Sequence, residues 1–170
     1  MTADPIIELL VDSFGRIREQ VADLADGATT EQLTYRPAPD ANPIGWLLWH
    51  LTRVQDDHIA HLADEPQVWI TDGWVGRFAL DLPDDATGYA ATTVEVAALD
   101  GATAELLDGY HAAVHERTLA YVRGLDADEL ARIVDRRWDP PVTASARLVS
   151  IIGDCTAHLG QGQYVRGLAT

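Results

Sequence analysis

Apolar residues recur at Ile6, Ile7, Leu10, Phe14, Ile17, Val21 and Leu24, the spacing of one face of an α-helix. Asp4 is placed to cap that helix, and Pro5 to take its first position, where a missing N–H costs nothing. Gly27 ends it. A connector with Pro37, Pro39 and Asp40 follows. The same start signal returns with Asn42 as cap and Pro43 next. It opens a second helix through Trp46, Leu47, His50, Leu51, Val54 and Ile59 to about Leu62, which Pro66 closes off. Residues 64–91 hold Trp69, Gly73, Trp74, Gly76, Phe78, Pro83 and Gly88. They read as a long ordered connection with room for a short helix, because three aromatics before Pro83 argue against disorder.

Thr92 with Glu95 is a capping-box signature. It opens a helical stretch to about Gly124, carrying Leu99, Leu106, Leu107, Val114, Leu119 and Val122. Gly101 and Gly109 weaken that stretch and mark where it would kink or break. Asp126 and Glu129 form a second capping box for a short turn of helix. The segment RRWDPPV, residues 136–142, is expected to run extended, since residues before proline avoid the helical region. The last helix starts near Thr143 and runs to about Leu168, with Leu148, Ile151, Ile152, Cys155, Leu159 and Val165 on one side. No alternating segment is long enough for a central strand. The pattern predicts an all-α fold: a single domain over residues 1–170, built as a four-helix bundle, mostly antiparallel, with one long crossover loop.

Composition agrees with a folded chain, at 47% apolar and 23% charged residues. The net charge of -15, with no clustered basic patch, argues against nucleic acid and anionic membrane as partners. A lone cysteine, Cys155, excludes an intramolecular disulfide. The N-terminus MTADPIIELL lacks the features of a signal peptide, and no apolar run is long enough to span a membrane. A cytoplasmic protein is the expectation.

The candidate chemistry lies in the segment DCTAH, residues 154–158. Asp154 and His158 are four residues apart, so they stack on one helix face, bordered by the apolar Ile151 and Cys155. His50 sits mid-way along the second helix. A pair from one helix and a third donor from a facing one is how bundles build metal sites. Two imidazoles and one carboxylate leave coordination positions open and suit zinc, with nickel or ferrous iron as alternatives. The same residues also fit a plain Asp–His hydrogen bond. His111 and His115, followed by Glu116, compete at equal spacing, or form a solvated face. Gln161 is placed to support the His158 imidazole, or to be a surface glutamine. Arg53 could hold an anionic substrate group or be ion-paired. Trp74 and Phe78 line a pocket over the metal or pack in the core. His58 and His61 read as helix-surface residues and Cys155 as a core residue. No side chain reads as a protein nucleophile.

The last helix, SIIGDCTAHLGQGQYVRG, resembles the closing helix of the DinB-like superfamily, which includes the mycothiol-dependent maleylpyruvate isomerase and bacterial thiol S-transferases. The resemblance extends to GWLLWHLTR around His50, to the GWVGRF loop and to WDPPV. It implies a metal triad of His50, Asp154 and His158. It also implies a homodimer and a metal-dependent S-transferase that joins a small thiol, mycothiol by analogy, to a small electrophile under the Trp69–Phe78 loop. The isomerase has a further C-terminal domain that contacts substrate. This chain ends at Thr170, so isomerisation is not the expected activity. The alternatives are a metal-dependent hydrolase and a non-catalytic metal- or thiol-binding module.

Overall fold

The computed structural model describes residues 4–169; residues 1–3 and 170, the two ends of the expected domain, lie outside the described residues. The first helix, α1 (Pro5–Ala25), begins as its sequence indicates. Asp4 accepts a hydrogen bond from the Ile6 amide at 2.8 Å, and Pro5 takes the first helical position. Leu10, Phe14, Ile17, Val21 and Leu24 are buried, as their spacing requires. The connector after Gly27 contains a short helix, α2 (Thr30–Thr34), that periodicity does not reveal. A reciprocal capping box between Thr29 and Gln32 holds it.

Helix α3 (Ile44–Ala63) starts one residue later than expected, with Pro43 rather than Asn42 at the cap position and no side-chain cap. The Pro43 carbonyl accepts the first helical bond, from the Leu47 amide at 3.1 Å. The crossover then folds into two short helices, α4 (Val68–Thr71) and α5 (Trp74–Phe78). The Thr92–Glu95 box forms, yet it opens only the short α6 (Thr93–Ala97). The chain turns at Gly101 and restarts with Thr103 capping α7 (Ala104–Arg123). Gly109 lies inside α7 without breaking it, and the Trp74 ring packs against that position; an added Cβ would stand 3.1 Å from the indole.

Asp126 caps α8 (Ala127–Ala131), but Glu129 turns its carboxylate to Arg132 and Tyr121 instead of completing the box. Residues 136–142, expected to run extended, instead bend through 137–140 and connect a small antiparallel hairpin of β1 (Ile133–Asp135) and β2 (Val142–Thr143), to which only Val142 of that segment belongs. The closing helix α9 (Ala144–Leu168) follows directly, capped by Thr143.

Helices α1, α3, α7 and α9 form the bundle, with α1 and α3 each packed between α7 and α9. Directions follow from cross-helix bonds. Gln55 and Leu51 meet Cys155, and His50 meets His158, so α3 and α9 run antiparallel. Gln20 meets Gln163 and Asp23 meets Arg166, so α1 and α9 run parallel. Tyr110 meets Arg53 while Thr118 meets Gln55 and Arg117 meets Glu65, so α3 and α7 also run parallel. The expectation of a mostly antiparallel bundle is therefore corrected: two of its neighbouring pairs are parallel. Parallel successive helices require the chain to return to its starting end, which is the work of the crossover over residues 64–103. Among the described residues no helix is long and apolar enough to cross a membrane.

Candidate metal centre

His50 comes from the middle of α3, and Asp154 and His158 from one face of α9. Each offers a donor atom, and these atoms lie within 4.8 Å of one another, close enough for one ion to bridge. The His50 and His158 rings stand 4.8 Å apart between centroids at 75°, and His158 Nε2 is 3.6 Å from Asp154 Oδ1.

Both imidazoles are oriented from behind. The Nδ1–H of His50 donates to the Thr87 carbonyl at 2.6 Å, and that of His158 to Gln161 Oε1 at 2.9 Å. Each bond leaves Nε2 as the lone-pair nitrogen, the arrangement found around metal-bound histidines. Burial holds His50 below the ordinary imidazole range. Its Thr87 bond opposes that shift, neighbouring His158 adds to it, and Asp154 opposes it again. The ring is therefore neutral at neutral pH, the form that ligates. Asp154 Oδ2 is buried with no hydrogen-bond partner among the described residues. An orphaned carboxylate oxygen beside two lone-pair nitrogens is costly as it stands, and a divalent cation would satisfy it. The donor set thus fits a metal. Gln161 takes the supporting place that its spacing indicates.

Other expected site residues fall elsewhere. Arg53 is fully buried. Its Nε donates to the Ala86 carbonyl at 2.9 Å and one terminal nitrogen to Gln67 Oε1 at 2.7 Å; its guanidinium lies over the Trp69 ring. It presents nothing to an open substrate site. It does fix Ala86, the residue before Thr87, and so sets the carbonyl that orients His50. Trp74 packs on Tyr110 and Phe78, with Arg77 over its outer face. Trp69 and Phe78 also pack around Tyr110. These aromatics pack in the core, and the segment over His50 is 86–88, not the Trp69–Phe78 loop.

The aromatic that does meet the triad is Trp46, stacked on His50 at 4.5 Å and edge-on to His158 at 6.3 Å. It lies four residues before His50, the spacing that could have singled it out. Gly88 completes the site from the crossover. Its φ is +87°, and a Cβ there would stand 2.8 Å from His50 Nδ1 and about as near to Trp49 and Trp46.

His111 and His115 gather no third donor among the described residues. His111 is not on a solvated face: it is wholly buried, its ring parallel to that of His115, with both ring nitrogens unpartnered. Cys155 is buried as expected, and burial pushes its thiol well up, which removes it as a nucleophile. His61 is exposed, while His58 is half-buried against α9.

A search of curated proteins finds no match. Among solved structures, the chain is similar to a conserved protein from Enterococcus faecalis, with 33% identity, 98% of each chain covered and a TM-score of 0.91. A family profile described as mycothiol-S-transferase matches residues 9–170. The chain belongs to the mycothiol S-transferase family, within the DinB-like superfamily that its last helix resembles.

Proposed function

We propose that the protein is a metal-dependent S-transferase that joins a low-molecular-weight thiol, mycothiol, to a small electrophile. The observation that carries this reading is the triad of His50, Asp154 and His158, held from behind by Thr87 and Gln161 in a chain of the mycothiol S-transferase family. A divalent ion, zinc before nickel or ferrous iron, would supply a Lewis acid that lowers the pKa of a thiol from about 8.5 toward neutrality.

The chain's own residues prepare the site. Thr87 and Gln161 fix the tautomers of the two histidines. Trp46 walls one side and keeps water from the His50 face. Asp154, 36% exposed in its side chain against 18% for His158, marks the open side by which thiol and electrophile would enter. In the transfer the thiol sulfur loses its proton to solvent and forms a bond to carbon. The leaving group departs with the electron pair of the bond that breaks. No protein nucleophile is needed, which agrees with the buried, unreactive Cys155.

The test is conjugation of mycothiol to a chromogenic alkyl halide by purified protein. The reading predicts turnover that chelation abolishes and zinc restores. Zinc bound without turnover over a broad panel of thiols and electrophiles would replace it with a metal-binding module.

A further inference from the structure

The surface between α3 and α9 continues past the triad. Because these helices are antiparallel, His58, two turns beyond His50 on α3, faces the early turns of α9. The side chain of His58 is 30% exposed. Its ionisation is lowered first by burial and then by the Arg147 guanidinium, while Asp57 and Asp154 act in the opposite sense. The antiparallel register, with Leu51 and Gln55 at Cys155 and His50 at His158, sets His58 at a level of α9 between Arg147 and Asp154. Along α9, Arg147 precedes Asp154 by two turns, about 10 Å of helix axis.

Arg147 is only weakly partnered. Its side chain is 19% exposed, and its Nε is buried with no hydrogen-bond partner among the described residues. One terminal nitrogen reaches Asp135 Oδ2 only at 3.5 Å. That carboxylate is already held by Arg137, through Nε at 3.0 Å and a terminal nitrogen at 2.8 Å. Two guanidiniums share one carboxylate, so Arg147 keeps donors that Asp135 does not occupy. A mostly desolvated cation with a free donor is satisfied by an anion, and guanidinium matches a carboxylate in geometry.

We propose that Arg147 binds the carboxylate of a small substrate whose other end lies at the triad. This rests on the triad being the reaction centre. The spacing sets the length of the ligand: an acid spanning roughly one aromatic ring between its reacting end and its carboxylate, to match about 10 Å along the helix.

The probes are terephthalate and its monomethyl ester, titrated calorimetrically into zinc-loaded protein. The diacid should bind about tenfold more tightly than the monoester, a difference of ~1.4 kcal/mol. Arg147→Gln should erase that preference and Arg147→Lys should keep part of it, with zinc content unchanged. Equal binding of diacid and monoester by the wild type, or a preference that survives in Arg147→Gln, overturns the proposal. If the variants fail to fold, the wild-type comparison alone decides. A kinetic arm assigns the source of the carboxylate. A lower KM for 4-(bromomethyl)benzoate than for its methyl ester, with mycothiol as co-substrate, places it on the electrophile. Tighter binding of 4-(mercaptomethyl)benzoate than of its ester, without that KM difference, places it on the thiol. Discrimination between the terephthalates without any thiol transfer would sink the transferase reading and leave the subsite standing; transfer without discrimination would do the reverse.

Discussion

At the scale of single residues, His111 shows how burial governs titration. Enclosed between α1 and α7 with neither ring nitrogen partnered, it is pushed down to about 3, chiefly by burial, with Arg18 and His115 adding to the shift. An imidazole that ionises near ~6.5 when unfolded but only near 3 when folded binds its proton first in the unfolded state. Stability is therefore complete above about pH 6.5 and falls as pH drops toward 3, by ~1.4 kcal/mol per pH unit from this group. Thermal melts between pH 7 and 4 should show this slope in the wild type and a shallower one in His111→Leu, which also removes two unpaired ring nitrogens. Parallel slopes would mean that His111 finds a partner. Arg53 makes a second case. Arg53→Met removes a buried cation from Ala86, Gln67 and Asp56 and should cost about 3–5 kcal/mol in denaturant unfolding of the metal-free protein. It should also weaken zinc binding by roughly 10–100-fold, although Arg53 is no ligand, because Thr87 loses its anchor. Unchanged zinc affinity would disconnect Arg53 from the site. That role is invisible in the sequence, since its hydrogen-bond partners Gln67, Ala86 and Tyr110 lie 14 to 57 positions away. Spacing alone leaves Asp154–His158 level with His111–His115, which share it; the resemblance of the last helix is what singles out His50, Asp154 and His158. Trp74 stays open between pocket and core in the sequence because an aromatic in a loop has no periodicity to place it; it packs on Tyr110 and Phe78.

Among the elements, the crossover is the one that local pattern reads least well. Its short helices are held by distant side chains rather than by periodicity. Asp56 of α3 accepts from the Val68 and Trp69 amides at 2.9 and 2.8 Å and so opens α4. The long helix expected from Thr92 to Gly124 splits into α6 and α7 around the turn at Gly101, where Thr103 caps the restart with a hydrogen bond from the Leu106 amide. The crossover reaches the chemistry at one point, residues 86–88. Gly88→Ala tests that contact. It forces a side chain into the left-handed region and against the His50 ring, so it should destabilise the protein by about 1–3 kcal/mol. It should also weaken zinc binding at least tenfold, by disturbing the support of a ligand rather than the ligand itself. A variant that binds zinc like the wild type would show that segment 86–88 merely covers the site.

For the whole molecule, the all-helical fold was legible because four long segments carry a period of 3.6 residues. The order of their directions was not, since periodicity within a helix is blind to what runs beside it. The parallel pairing of α3 with α7 decides the site. It commits the 64–103 segment to return along the bundle, and on that return the chain passes over His50. The antiparallel pairing of α3 with α9 then brings His158 and Asp154 to the same level. That meeting point is expected to hold one divalent ion. The most direct measurement is elemental analysis, with zinc titration, of protein purified without a polyhistidine tag. The wild type should hold about one ion per chain. His158→Ala and Asp154→Ala should lose it, while His111→Ala and His115→Ala should keep it. Equal metal content in the wild type and His158→Ala, or loss in the His111 and His115 variants instead, would show that the ion is not held by His50, Asp154 and His158.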